Sequence, residues 1–419
     1  MRKIDHHLGI PLTFLSTYLL KPVYWLQHKR NRTSTTKPQR ILFVELSEMG
    51  STIIADPAMK RAQKTFDAEL FFVIFSKNKP SLDLLNTIPQ NNIFTLCEDS
   101  LFTLVRDAVR YLFWCRKQRI DTAIDLELFS RVSALLTGFS GARNRIGFHN
   151  FHGEGLYRGD LLTHKVSYNP HIHIAKNFMA LIHALEAPTP EVPYAKVLIQ
   201  DEDIRLDQVT FSDDDTEFVY QKIADCYADY NRETQPLLLI NPNASDLLPQ
   251  RRWPKANFIA LMQQLLAQYP QALVLITGAP NERDEAQQLL DAVAHERCIN
   301  FAGQLKLLQM PILYSIARLM VTNDSGPGHF SAITPLKTFV LFGPETPKLY
   351  GSLGNSTPIF AGLACSPCVS AANHRKTPCT EPVCMDAITV ETVLKHIEIE
   401  MHEPVQTSAN PASSATESA

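Results

Sequence analysis

The sequence predicts an α/β protein made of two successive Rossmann-like halves, each a parallel sheet covered by helices on both faces. Three observations carry this. Short apolar runs alternate with amphipathic stretches from Arg40 onward, the rhythm of βαβ units. The rhythm breaks at a proline-bearing stretch, "EAPTPEVPY", and restarts near residue 235. A chain of 419 residues is also long for a single core. The expected organisation is an apolar and basic segment over 1–38, a first domain over 39–190, a linker and start of the second domain over 191–235, a second domain over 236–400 and a tail over 401–419.

The elements follow in order. The opening "LGIPLTFLSTYLLKPVYWL" is apolar and aromatic, but Pro11, Lys21 and Pro22 interrupt it short of the roughly 20 clean residues of a spanning helix. Lys29, Arg30, Arg32, Lys37 and Arg40 come next, so the segment suits an interfacial element on an anionic membrane surface. A helix packed on the body of the protein or on a partner is the other reading. "ILFVEL", "LFFVIF", "NIFTL" and "IDTAIDL" read as strands, separated by helices such as Leu101 to Lys117. From Arg143 to about Tyr168 the pattern is less regular, and "RIGFHNFHGEG" reads as loops. The helix "HIAKNFMALIHAL" then leads to the prolines. In the second half the strands are "PLLLINP", "ALVLITG", "CINFAG", "RLMVTND" and "TFVLFGP". The final "HEPVQTSANPASSATESA" lacks apolar periodicity and reads as disordered.

Composition narrows the function. With 45% hydrophobic residues and 40 basic against 43 acidic residues, the chain lacks the basic excess of a nucleic-acid binder. Eight cysteines in so large a chain, without a cleavable signal peptide, point to a reducing compartment and hence the cytoplasm.

Two stretches carry chemistry. In "VELSEMGSTIIADPAMK" a strand hands over to a helix among Glu45, Glu48, Ser51 and Asp56, at the strand end where open α/β sheets bind ligands. In "VTNDSGPGHFSAITPLKTFVLFGPETP" a strand ends in Asp324, Ser325, Gly326, Pro327, Gly328 and His329 before a helix, a pattern suited to a nucleotide diphosphate. The lysine of a P-loop is missing, and no G-x-G-x-x-G follows a first strand, which disfavours an NTPase or an NAD enzyme.

"NDSGPGH" followed by "FGPETP" resembles the signature of glycosyltransferase family 9, the lipopolysaccharide heptosyltransferase family. "INPNASDLLPQRRWP", "ITGAPNERDEA", "FAGQLKLLQMPILYSIARLMVTND", "RIGF" and "ILFVELSEMGSTIIADPAM" resemble further family segments, over about residues 40 to 395. The resemblance implies a GT-B architecture, two Rossmann-like domains facing a cleft, and an inverting transfer that needs no metal or other cofactor. It implies a phosphate cradle of Ser325, Gly326, Gly328 and His329, with Asp324 shaping the turn or touching the donor. Ser245 and Arg251 fall at phosphate contacts and Glu282 at the nucleoside-side glutamate. Taken singly, Asp324 would read as a helix cap and His329 as a packed core histidine.

The family pattern places an aspartate, the proposed catalytic base, directly after the glycine of the first turn, and here that position is Ser51. A hydroxyl cannot usefully accept a proton near neutral pH, so Glu48 is the nearest replacement, with Glu45 and Asp56 behind it. A histidine of "FHNFHGEG" is an alternative base, and a chain that binds without catalysing is another. Cys365, Cys368, Cys379 and Cys384 form either a packed thiol cluster or a structural zinc site, the former preferred. His171 and His173 read as capping or packing residues. Arg143 and Arg145 could face an anionic acceptor or simply lie on the surface.

The resulting expectation is a metal-independent transferase peripheral to the cytoplasmic face of the inner membrane, using a sugar nucleotide, ADP-heptose by resemblance, on a glycolipid acceptor. An epimerase of the same fold and a non-catalytic sugar-nucleotide or glycolipid binder are the rivals.

Overall fold

The computed structural model describes residue 5 and residues 7–402, apart from 32–36, 152–154, 188–194, 372 and 374. The side chains of Lys29 and Arg30, all of Arg32 and His152, most of the proline-bearing stretch and the expected tail beyond residue 402 lie outside the described residues.

A helix α1 (Gly9–Asn31) precedes the first domain and runs through Pro22. The domain comprises β1 (Arg40–Val44), α2 (Met49–Phe66), β2 (Glu69–Phe75), α3 (Pro80–Leu85), β3 (Ile93–Leu96), α4 (Leu101–Lys117) and β4 (Thr122–Asp125). It continues with α5 (Arg131–Phe139), β5 (Asn144–Phe148), β6 (His164–Val166) and α6 (Ile174–Glu186). The six strands are parallel in the order β3-β2-β1-β4-β5-β6. Alternation along β1 sends Ile41 and Phe43 into a core with α2 and α6, and Leu42 and Val44 into one with α4 and α5. Burial on both faces is why these strands read as unbroken apolar runs.

The less regular stretch from Arg143 to about Tyr168, with "RIGFHNFHGEG" expected as loops, holds two strands of this sheet. Arg145 and Gly147 break the apolar pattern of β5, yet both belong there. A Cβ on Gly147 would stand 3.2 Å from that of Asp125 on the neighbouring strand, and the buried Arg145 side chain has its own partners.

The second domain holds α7 (Asp213–Cys226), β7 (Leu237–Asn241), α8 (Lys255–Gln268), β8 (Leu273–Ile276), α9 (Arg283–Val293), β9 (Cys298–Asn300), α10 (Met310–Ile316) and β10 (Leu319–Asn323). After these come α11 (Gly326–Phe330), β11 (Lys337–Phe342), α12 (Pro347–Tyr350), β12 (Ser356–Phe360), α13 (Val383–Asp386) and α14 (Val390–His402). This sheet is parallel too, ordered β12-β11-β10-β7-β8-β9. The unexpected β12 is an edge strand, the position that tolerates its Pro358.

Read from their own first strands, the two sheets have the same order. In each the first and fourth strands are neighbours, which opens a crevice at their carboxyl ends. The domains touch there. Gly50 of α2 lies so near His329 that a Cβ would be 2.6 Å from the imidazole Cδ2, and His173 Nε2 is 2.9 Å from the Gly351 carbonyl oxygen.

Candidate functional site

On the first-domain side, Glu45 follows β1 and Glu127 follows β4, so both stand at the switch point. Glu127 Oε1 accepts from the amides of Leu46 (3.0 Å) and Ser47 (3.1 Å) and from Ser47 Oγ (2.8 Å), tying the two loops together. Burial, then Glu127 and Glu48, raise the Glu45 carboxyl well above the usual range, and burial raises Glu127 as well. Glu48 goes the other way: burial would raise it, but Arg375 and then Arg251 outweigh that and hold it below the usual range. One carboxylate is thus kept ionised beside two that retain protons more readily, the separation that assigns acid and base roles. Ser51 Oγ donates to Glu48 Oε2 at 3.2 Å. Asp56 does not join this group; it pairs with Lys60 at 2.7 Å and accepts from Thr87 Oγ1.

On the second-domain side, buried Trp253 fixes the loop after β7. Its Nε1 donates to the Ile388 carbonyl (2.7 Å) and its amide to Asn323 Oδ1 (3.0 Å). This sets the short turn Pro249–Arg251 before the end of β10, with Arg251 Nη1 at 3.7 Å from Asp324 Oδ2. Asp324 is buried, and burial raises its carboxyl against the pull of Arg251. Burial, reinforced by Arg251 and Arg375 and opposed by Glu48, pushes His329 down to about 4, so its imidazole is neutral at pH 7. Ser325 Oγ donates to the Asn323 carbonyl at 3.1 Å, while Gly326 and Gly328 lie in the five-residue α11. So short a helix has little macrodipole, and positive charge here comes from the arginines. Ser245 sits exposed in the turn that accepts the Leu248 amide at 3.2 Å.

Among the described residues, the buried side-chain atoms without a hydrogen-bond partner include Asn243 Nδ2, Arg251 Nε, Asp324 Oδ2 and His329 Nδ1. All four residues follow β7 or β10. Unpaired buried polar atoms are rare in a folded protein, and their concentration at one sheet end fits a place where a polar ligand completes the bonding. Glu282 belongs to the same rim: its Oε2 accepts from the Ala279 amide (2.6 Å) and, with Asn243 Nδ2, lies 3.0 Å from where a Gly278 Cβ would be.

Sequence reasoning missed Arg375. It lies in the cysteine-bearing loop, 327 residues from Glu48, and donates to that carboxylate across the cleft. It also grips buried Glu345 through two parallel bonds of 2.5 and 2.7 Å, and its guanidinium carbon is 5.0 Å from the Tyr350 ring centroid. The only sequence signal is a basic run, "HRK", between the cysteine pairs. Cys365 is exposed and Cys384 buried, and all four thiols are free. Among the described residues no group of three or more His, Cys, Asp or Glu is arranged to hold a metal. The loop is tied to the Arg251 turn by Gln250 Nε2, which donates to the Cys379 carbonyl at 2.9 Å.

Arg143 and Arg145 do not face the cleft. They stand at the amino-terminal end of β5, opposite the edge where the other groups meet. Arg145 is buried, donates to the carbonyls of Leu161 (2.7 Å) and Ala142 (2.6 Å), and stacks 3.7 Å from the Tyr24 ring centroid, so it anchors α1. His173 caps α6 by accepting from the Ala175 amide at 3.2 Å. His149 lies at the carboxyl end of β5, and burial lowers it.

The sequence model of glycosyltransferase family 9 (heptosyltransferase) matches residues 115–377. Lipopolysaccharide heptosyltransferase 2 of Salmonella typhimurium is 32% identical over 116 residues, a match spanning 27% of this chain and 32%, about a third, of that relative's length. The lipopolysaccharide core heptosyltransferase OpsX of Haemophilus influenzae is 21% identical over 334 residues, covering 78% of this chain and 86% of that protein. Among solved structures, the Escherichia coli ADP-heptose lps heptosyltransferase II superposes with a TM-score of 0.67 at 20% identity, over 87% of this chain and 98% of that one. The two-sheet architecture is therefore GT-B.

Proposed function

Because this chain belongs to glycosyltransferase family 9, we propose that it moves a sugar from a nucleotide-diphosphate donor to a lipopolysaccharide core or related glycolipid, with inversion at the anomeric carbon. The observation that carries this is the meeting of an ionised carboxylate from the first domain, Glu48, with two guanidiniums from the second, Arg251 and Arg375. The donor is ADP-heptose, the compound named for the Escherichia coli structure of the same fold. We assign the reaction to the cytoplasmic face of the inner membrane, where a nucleotide sugar meets a lipid-borne acceptor.

Glu48 takes the proton of an acceptor hydroxyl as its oxygen bonds to the anomeric carbon. The bond from that carbon to the diphosphate breaks, and its electron pair leaves with the nucleoside diphosphate. Arg251 and Arg375 balance the charge that develops on the leaving group. Ser51, positioned where the family aspartate falls, serves as donor to Glu48 and so orients the base. Arg375 must exchange Glu48 for the diphosphate before the acceptor can enter, so donor binding frees the base. Asn243, Glu282 and the space left by Gly278 receive the nucleoside, and Asp324, Ser325, His329 and Ser245 border the phosphates.

Turnover of ADP-heptose with a lipid A and inner-core acceptor tests this, comparing wild type with Glu48→Gln. Loss of several orders of magnitude in kcat with ADP binding retained is expected. Nucleotide binding by wild type without transfer across a panel of donors and acceptors would make the chain a sugar-nucleotide binding protein instead.

A further inference from the structure

Helix α1 carries its side chains the wrong way round for a helix facing water. Its contacts with the body run through small and polar residues. A Cβ on Gly9 would be 2.7 Å from Arg131 Cδ, Thr17 Oγ1 accepts from the Asp160 amide at 2.9 Å, and Tyr24 Oη donates to the Gly138 carbonyl at 3.0 Å. Thr13, Ser16 and Thr17 are buried, whereas Leu12, Leu15, Leu19 and Leu26 are 48 to 70% exposed. A solvent-facing helix has the reverse distribution.

Helix α4 repeats the pattern beside it. It buries Leu104, Asp107, Tyr111 and Cys115 but exposes Phe102 (78%), Val105, Val109 and Phe113 (71%), which share one stripe at three- and four-residue spacing. Arg106, Arg110 and Lys117 edge this stripe; Arg106 and Arg110 share the single Asp107 carboxylate at 2.9 and 3.2 Å, so the edge keeps an excess of positive charge. Both helices flank α5: Tyr111 Oη donates to the Leu136 carbonyl (3.3 Å) and Arg116 Nη1 to that of Phe139 (3.4 Å), next to the Gly138 carbonyl held by Tyr24. Among the described residues no helix is long and apolar enough to cross a membrane.

We propose that the outer faces of α1 and α4 together form one docking plane for the surface of an anionic bilayer, with Phe102 and Phe113 entering the headgroup boundary. This rests on the glycolipid-acceptor reading and gives it a second contact, on α4, beyond the amino-terminal segment. A second copy of the chain is the poorer occupant, since a two-fold pairing of α4 would oppose this positive excess to itself, while anionic lipid neutralises it.

The test is flotation of the full chain with phosphatidylcholine vesicles, with and without phosphatidylglycerol. Phe102→Ser/Phe113→Ser and Leu15→Ser/Leu19→Ser should each weaken partitioning about tenfold or more, and Lys117→Glu should weaken it only on anionic vesicles. Circular dichroism and thermal melting check that the variants fold. Wild-type flotation of the α4 variant overturns the proposal, as does a wild-type dimer in sedimentation that these changes dissociate without altering lipid binding. Transfer to a water-soluble acceptor is measured in parallel. Transfer with normal vesicle binding by the variants sinks only the docking plane, and absence of transfer in every protein sinks only the enzymatic reading.

Discussion

Replacing Arg375 by methionine removes the cation shared by Glu48 and Glu345, and the two carboxylates are not equal partners. The Glu48 side chain is 41% exposed and water screens its loss, so it adds little to stability. Glu345 is 1% exposed and would be left as a buried charge without a partner, a change that costs roughly 3–5 kcal/mol. The stranded carboxyl relieves part of this by taking up a proton. Its folded pKa then lies further above its unfolded value, so stability is fully present below the unfolded pKa and is lost as pH rises through the folded one. Arg375→Met should therefore lose more stability at pH 8 than at pH 5.5, and Arg375→Met/Glu345→Gln should recover most of the loss at pH 8. Urea unfolding of the three proteins at both pH values measures this. An equal loss at the two pH values, with no recovery in the double variant, would refute the assignment of Arg375 as the counter-ion of a buried Glu345.

Gly50→Ala puts a methyl group 2.6 Å from the His329 ring and should destabilise the protein by about 1–3 kcal/mol, read as a lower Tm, with weaker ADP binding in calorimetry if the cleft is wedged open. Burial pushes both His173 and His329 down to about 4, so between that pH and about 6.5 the unfolded chain binds more protons and stability falls on acidification. The expected loss from pH 7 to pH 5 is about 2 kcal/mol per histidine, seen as a shift in the urea midpoint, and an unchanged slope in His173→Gln/His329→Gln would rule it out.

Much of the fold was legible because parallel strands buried on both faces leave apolar runs: "ILFVEL", "LFFVIF" and "TFVLFGP" became β1, β2 and β11. β5 escaped notice because its Arg145 is a buried anchor for Tyr24, and a charge inside a strand reads as a loop until the partner is known. Glu48 stood out at a strand-to-helix turn, a local pattern. Arg375 could not, since what defines it is a contact across 327 residues of chain in a loop with no periodicity. Glu127 lay just past a recognisable strand, "IDTAIDL", and the crevice rule applied to β4 as well as β1 would have found it.

The docking of α1 also has a consequence in time. Tyr24 is made 114 residues before Gly138, whose carbonyl it meets, and Thr17 143 residues before Asp160. At about 5–20 residues per second the shorter interval is roughly 6 to 23 s. Throughout it the helix has neither of these contacts with the body, so a nascent chain made near a membrane meets lipid before it docks on its own first domain.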